Sequence, residues 1–188
     1  MPLVLGTLLV AATVGLLMGG RWSRLAELEI AWIPLAIAGL AMQWFAPSHG
    51  ILPVILLLVS FAALIAFAVR NLALPGFRLI LLGILLNFLV IAANGGMPVS
   101  RSALVASGQV DTLEALVHDG GAKHHIATGD DLLVPLADVI PVSPIHNVVS
   151  AGDILTYAGV AWLVFATLRT RRRHVQLVPR HAVEGTDG

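Results

Sequence analysis

Long runs of apolar residues without internal charge dominate the chain and restrict what it can fold into. Five such runs are present, at residues 2–20, 30–46, 51–69, 78–93 and 153–168. A helix of about 19 residues is about 28 Å long, close to the thickness of the hydrocarbon core of a bilayer. The runs therefore predict five membrane-spanning helices.

The composition supports the same class of protein. The residues are 57% hydrophobic and 12% charged, and the mean hydropathy is +0.90. Soluble domains are about 25% charged, so this chain lacks the charge needed to solvate the surface of a soluble protein of its size. The net charge is zero, which argues against nucleic-acid binding, and the absence of cysteine excludes disulfides and thiolate metal sites.

The first apolar run, residues 2–20, has an alternative interpretation as a signal peptide. A signal peptide carries positive charge before its apolar run and a small-residue cleavage site after it. In this chain the charge comes afterwards, at Arg21 and Arg24. We therefore expect a retained first span whose N-terminus lies outside the cell.

The predicted fold is an all-α membrane protein with five transmembrane helices. Its membrane domain, residues 1–168, includes an extracytoplasmic loop at residues 94–150 between spans four and five. This loop is expected to form short helices folded over the helical bundle. Residues 169–188 are expected to form a cytoplasmic tail that is basic at first and then polar.

Capping patterns predict where the helices after residue 94 begin. Asp111 and Glu114 have the spacing of a capping box for a first loop helix. A second helix is predicted within residues 128–140, where apolar residues recur at helical spacing. Ser150 and Asp153 have the pattern of a capping box for the last span.

The basic residues predict the orientation in the membrane. Of eleven Lys and Arg, only Arg101 and Lys123 fall in the loop at residues 94–150, and the other nine fall in the first and third connections and the tail. Cytoplasmic segments carry the excess of positive charge. The sequence therefore predicts a multi-pass plasma-membrane protein with its N-terminus outside and its C-terminus in the cytoplasm.

Polar residues at the end of the fourth span are candidates for ligand binding. Asn87 and Asn94 lie on one helical face, either facing an outward-opening cavity or serving as a structural hydrogen bond and a helix cap. Gly95 and Gly96 can adopt positive φ, and Pro98 cannot continue the helix. Backbone N–H groups exposed there could bind an anion, although helix termination explains the segment equally well.

Histidines and carboxylates in the loop offer a second kind of site. Imidazole and carboxylate groups are good ligands for zinc and related ions, so a divalent metal is a candidate cofactor, although the sequence requires none. The spacing matches no established metal motif, and solvated or hydrogen-bonded histidines are the alternative. The candidate ligands are His118, His124, His125 and His146.

Six short motifs of the chain are of interest together: Leu86-Asn87, Val90-Ile91, Asn94–Val99, Lys123–His125, Leu136–Pro141 and Ser150–Leu155. With them the chain resembles an uncharacterised bacterial membrane family, number five-three-one-seven among the domains of unknown function. The similarity extends from the first span to Leu168. It implies a multi-pass bacterial membrane protein and brings no established activity.

The resemblance points to residues that merit testing as a site. Asn94 and Asp153 are expected to face each other at the outer membrane face. Asp153 also has a structural interpretation, since a helix dipole favours a carboxylate in the first turn. The ligand-binding candidates from the matched motifs are Asn87, Asn94, Gly95, Gly96, Pro98, Asp138 and Asp153.

Three functional hypotheses follow from these observations. The leading one is a non-enzymatic scaffold or accessory protein that acts at its extracytoplasmic face, with the lipid bilayer and other membrane proteins as candidate partners. The second is a transporter-like protein for a small solute, which the lack of ionisable residues inside the spans disfavours. The third is a membrane-embedded metal-dependent enzyme that uses the loop histidines.

Overall fold

A computed structural model describes residues 2–45, 51–118, 121 and 123–169, and over these residues the chain is mostly helical. In chain order the elements are α1 (Pro2–Leu17), α2 (Ser23–Ala26), α3 (Ile33–Trp44), α4 (Leu52–Arg70), α5 (Phe77–Asn94), β1 (Met97–Val99), α6 (Arg101–Ala106), α7 (Val110–His118), β2 (His124–Ile126), a 3₁₀ turn (Val134–Leu136), β3 (Ile140–Val142), a second 3₁₀ turn (Ser143–Ile145), β4 (Asn147–Val149) and α8 (Ala151–Arg169).

Within the described residues, three helices are long and apolar enough to cross a membrane: α4 with 19 residues, α5 with 18 and α8 with 19. The helices α1 and α3, with 16 and 12 residues, are apolar but shorter than the predicted spans 2–20 and 30–46. The helix α1 ends before Gly19, which has a φ of 86°. The helix α3 begins after Trp32, which is left-handed, and has Pro34 in its first turn.

The five apolar helices pack side by side in the order α3, α4, α5, α8, α1. The antiparallel pair α5 and α8 is the closest, because Gly83 lies against Gly152 and Gly76 against Gly159. A Cβ at Gly83 or Gly76 would overlap the backbone of α8. Buried apolar side chains of α4, α5 and α8 form the core of this layer, including Leu57, Phe61, Phe77, Ile80, Ile84, Val90, Ile91 and Leu163.

Residues 95–150, here named the connecting domain, fold over the end of α5 and the start of α8. The strand β1 pairs in parallel with β2, and Val99 of β1 also forms a bridge with Asp138. The strands β3 and β4 form an antiparallel pair. A second, smaller apolar core holds this domain together and comprises Val99, Ala103, Leu104 and Val148.

The prediction of a second loop helix within residues 128–140 is wrong. Leu133 adopts a left-handed conformation with a φ of 57°, and only a 3₁₀ turn follows it. Pro135 and Pro141 cannot donate backbone hydrogen bonds to a helix, and Ile140 begins β3. In its described residues, the segment between α5 and α8 thus contains four short strands as well as the helices α6 and α7.

Candidate functional site

A network of side-chain hydrogen bonds joins α5 to the start of α8. The Asn87 Nδ2 donates to Asp153 Oδ1 at 2.8 Å, and the Ser150 hydroxyl donates to Asn87 Oδ1 at 2.8 Å. Asn87 and Ser150 are buried. A buried polar group without a partner costs about 1–3 kcal/mol, so this mutual satisfaction is needed for α5 and α8 to pack here.

Ser150 and Asp153 also form the predicted capping box, which is confirmed. The Asp153 N–H donates to Ser150 Oγ at 2.9 Å, and the Ser150 N–H donates to Asp153 Oδ2 at 3.2 Å. The carboxylate lies in the first turn of α8, where the helix dipole stabilises negative charge. Both carboxylate oxygens of Asp153 are therefore already occupied by groups of the protein.

Asn94, the last residue of α5, holds the connecting domain at the helix end. Its Oδ1 accepts from the Leu132 N–H at 2.7 Å, and its Nδ2 donates to the Leu132 carbonyl at 2.9 Å and to the Val90 carbonyl at 2.8 Å. The amide thus pairs with Leu132 as a second peptide group would. Asn87 rather than Asn94 contacts Asp153.

The candidates for anion binding after Asn94 are Gly95, Gly96 and Pro98. They shape the backbone at the end of α5 and in β1. Gly95 ends α5 with a left-handed φ of 69°. Gly96 is buried so close to β2 that a Cβ would lie 3.3 Å from both His125 and the Lys123 carbonyl. The Pro98 carbonyl accepts from the Asp138 N–H at 3.1 Å. The Met97 N–H also donates to the Lys123 carbonyl at 2.7 Å, so the backbone of Met97 and Pro98 pairs β1 with its neighbours.

Asp138 differs from the other candidates, because its carboxyl group is buried without being satisfied. The residue is only 9% exposed, and among the described residues Oδ1 has no hydrogen-bond partner. Its Oδ2 lies 3.8 Å from His124 Nε2, which is too long for a hydrogen bond. Burial, and secondly the charge of Asp153, raise the pKa of Asp138 to about 7.

The candidate metal-binding histidines are dispersed over the connecting domain. His125 Nε2 lies 2.8 Å from Asp131 Oδ1, while His118 is exposed at the end of α7. His146 is left-handed, and its carbonyl accepts from Gln109 Nε2 at 2.7 Å. Across residues 2–45, 51–118, 121 and 123–169, no three His, Asp or Glu side chains are grouped so as to hold a metal ion. Asp119 and His49 lie outside the described residues.

Asn71, which was not among the predicted site residues, has at the other end of the bundle the role that Asn94 has beside the connecting domain. The Ala31 N–H donates to Asn71 Oδ1 at 2.8 Å, and Asn71 Nδ2 donates to the Ala31 carbonyl at 2.9 Å. Asn71 follows the last residue of α4, just as Asn94 ends α5. An asparagine at the end of a very apolar helix is the signal that identifies both.

The connecting domain also has a groove and an exposed apolar surface. The groove has a volume of about 670 Å³ and is lined by residues of α6 and of the segment 127–139, among them Arg101, Val105 and Val134. Val105 on the groove wall is 56% exposed. Val110 and Val117 of α7 are 48% and 49% exposed. Apolar residues exposed in this way can contribute to an interaction surface.

Comparison with known proteins identifies the family but no activity. The chain is 36% identical over 121 residues to an uncharacterized protein of Thermotoga maritima, and the match covers 62% of this chain and 66% of that protein. No solved structure matches. Residues 24–165 match the family described as "Family of unknown function (DUF5317)". The chain belongs to this family, whose function is unknown.

Proposed function

We propose that the chain is a five-span membrane protein that acts as a non-enzymatic accessory or scaffold protein through its connecting domain. The membrane domain then comprises residues 1–168, with the N-terminus and the connecting domain outside. Residues 169–188 form the cytoplasmic tail. The lipid bilayer is one partner, and a second membrane or extracytoplasmic protein is the other.

The packing of the two shorter helices supports five spans. Ala31, before α3, is bonded to Asn71 at the end of α4, while Gln43 donates to Ser60 at 2.7 Å in the middle of α4. The helix α3 therefore runs antiparallel along α4. Gly15, near the end of α1, lies against Leu168, near the end of α8, so α1 runs parallel to α8. If α4, α5 and α8 cross the bilayer, α1 and α3 lie in the same layer.

The arrangement of basic residues supports the orientation. Arg21 and Arg24 lie at the same end of the bundle as the end of α8, because the Arg21 N–H and the Arg24 guanidinium both donate to the Leu168 carbonyl. Arg70 and Arg78 flank the connection between α4 and α5 at that end. Positive charge favours the cytoplasmic side, so the connecting domain at the opposite end is extracytoplasmic.

One observation carries the proposal of a scaffold. Apart from Asp138, the amide and carboxylate groups expected to bind a ligand are bonded to one another or to the backbone: Asn87 to Asp153 and Ser150, and Asn94 to Leu132. A solute-binding cavity needs such groups to face the solute, and a metal enzyme needs grouped ligands. Here they fix a folded domain on the helix ends, while the groove beside α6 and the exposed valines remain open to a partner.

Site-specific photo-crosslinking tests this function. A photoreactive amino acid replaces Val105 in the groove, and a matched variant carries it at Thr112, an exposed position of α7 that does not line the groove. Illumination of intact cells should give one protein adduct of defined mass from position 105. Position 112 should give a weaker adduct or none.

Two outcomes of this crosslinking experiment would contradict the proposal. Equal adducts from both positions would mean random contact with abundant proteins. The absence of any adduct at position 105 in membranes that contain the folded protein would remove the groove as the working surface of a scaffold.

A further inference from the structure

Among the described residues, Asp138 is the one whose side chain has a buried oxygen without a hydrogen-bond partner. Its backbone has a structural role, because its N–H donates to the Pro98 carbonyl and its carbonyl accepts from the Ser100 N–H at 2.9 Å. The side chain, in contrast, is turned inward with Oδ1 unpartnered among the described residues. An ionised carboxylate without hydrogen bonds is very unfavourable in such a position.

The charged and titratable groups around Asp138 come from each element packed against it. From α8, Asp153 and Tyr157 lie within electrostatic range of the carboxyl group. From β2, His124 lies 3.8 Å from Oδ2. The two neighbours of His124 in the chain, Lys123 and His125, both disfavour the charged form of its ring. Asn87 of α5 is uncharged and is bonded to Asp153.

The observed arrangement fits the protonated form of Asp138. A neutral carboxyl group avoids repulsion from Asp153 and tolerates a gap to His124. Loss of the proton creates a second negative charge that needs a donor, and His124 Nε2 is the nearest titratable partner. Moving it by about 1 Å would give a normal hydrogen bond.

His124 is able to make this movement. Its side chain is 51% exposed, so few surrounding atoms oppose a shift of this residue toward Asp138 together with the strand in which it is paired with Met97. Burial, and secondly the charge of Lys123, lower the pKa of His124. A neutral imidazole can present an N–H at Nε2, which then donates to the carboxylate.

We propose that Asp138 is a proton-binding site that couples the pH on its side of the membrane to the position of β2. With the proton bound, His124 stays apart from the carboxyl group. When the proton leaves, His124 closes on the carboxylate and draws β2, which is paired with β1 at the end of α5, toward the start of α8. The side on which this pH is sensed rests on the orientation proposed above, whereas the proton site does not.

The proton is detected directly by infrared spectroscopy of the full-length protein in lipid nanodiscs. The carbonyl band of a protonated carboxyl group should disappear between about pH 5 and about pH 9, well above the range of an ordinary aspartate. The variant Asp138→Asn should lack this titrating band, and Asp138→Ser serves as a second neutral variant. The control Asp130→Asn, at an exposed position of the same domain, should retain it.

The coupling is detected by hydrogen exchange of residues 123–127 in the same samples, corrected for the intrinsic effect of pH. Exchange of the wild type should slow severalfold across the midpoint of the infrared titration, and the response should disappear in Asp138→Asn. A titrating band that persists in both Asp138 variants, or no band at all, overturns the proton site. A band without an exchange response overturns the coupling. Because nanodiscs expose both faces, a wrong orientation would leave both measurements unchanged.

Discussion

A side-chain amide can pair with a peptide group in the same way as another backbone segment does, and this chain uses that property at both ends of its bundle. Asn71 pairs with Ala31 after α4, and Asn94 pairs with Leu132 at the end of α5. Each amide joins a connecting segment to the end of an apolar helix without extending the helix. Two separate elements are thereby fixed by a single residue.

Replacing Asn94 with alanine should release the segment around Leu132. Leu132 lies at an exposed position, so water can replace the lost partners, and the cost should be about 1–3 kcal/mol rather than a failure to fold. Hydrogen exchange of residues 128–134 should become faster. The matched variant Asn71→Ala should accelerate exchange near residue 31 and leave residues 128–134 unchanged. The reverse pattern would contradict the role assigned to Asn94.

Asp138 should make the stability of the protein depend on pH. Its pKa rises from 3.8 to about 7 on folding, so between these values the folded state binds more protons than the unfolded state. The free energy of unfolding must then fall as pH increases from about 4 to about 7, by at most about 4 kcal/mol. Asp138→Asn should remove this fall, and Asp130→Asn should retain it. The unfolding temperatures of the wild type and both variants are measured in detergent at several pH values. If the three curves of unfolding temperature against pH are parallel, Asp138 does not cause the pH dependence.

At the scale of elements, the pair α5 and α8 determines where everything else lies. Glycines at Gly83, Gly152 and Gly159 allow the two backbones to approach closely, which small residues favour in membrane helices. The close approach brings Asn87 within hydrogen-bond distance of Asp153. The hydrogen bonds among Asn87, Ser150 and Asp153 therefore depend on the glycines that let α5 and α8 approach closely.

Gly83→Ala should destabilise the α5–α8 pair although alanine is the better helix former. The added Cβ would overlap the Gly152 carbonyl and the Thr156 hydroxyl, and overpacking of this kind costs about 1–3 kcal/mol. Gly6→Ala in α1 is a matched control, because nothing lies within 4 Å of its added Cβ. The control should be neutral or up to about 1 kcal/mol more stable. Equal unfolding temperatures for the two variants would show that the helices do not pack this closely.

The sequence predicted those elements whose signals are local. The apolar runs predicted the helices, and the pattern of Ser150 and Asp153 predicted the cap of α8, because both depend on residues close together in the chain. The pairing of β1 with β2 joins residues 27 positions apart and has no comparable signal. The helix predicted within residues 128–140 does not form, because Pro135 and Pro141 lack the backbone N–H that a helix needs, whatever the spacing of the apolar residues.

The sequence indicated polar residues of the candidate site but not their contacts, and their role in binding stays a prediction. Asn87 lies inside α5, Asn94 ends it and Asp153 lies in the first turn of α8, and the partner of each depends on the three-dimensional packing. The unsatisfied carboxyl group of Asp138 could not be predicted either. Its burial follows from the bridge between Val99 and Asp138, which is a contact between distant parts of the chain.

At the scale of the whole molecule, the packing order α3, α4, α5, α8, α1 places α1 and α3 at opposite edges of the layer. The long helices α4, α5 and α8 form its centre. Helices at the edge, with 16 and 12 residues, gain their stability from the neighbour on one side. Whether the molecule has three or five spans is therefore decided by α1 and α3.

Single cysteines distinguish these arrangements, because the natural chain contains none. A membrane-impermeant maleimide applied to intact cells should label Val117→Cys in the connecting domain and should not label Arg171→Cys in the tail. Ser23→Cys is decisive for α3: it is protected if α3 crosses the membrane and is labelled if only α4, α5 and α8 cross. Pro2→Cys should be labelled if α1 also crosses. Every position should react after permeabilisation.

Labelling of Ser23→Cys before permeabilisation would exclude five spans, and labelling of Arg171→Cys instead of Val117→Cys would reverse the orientation.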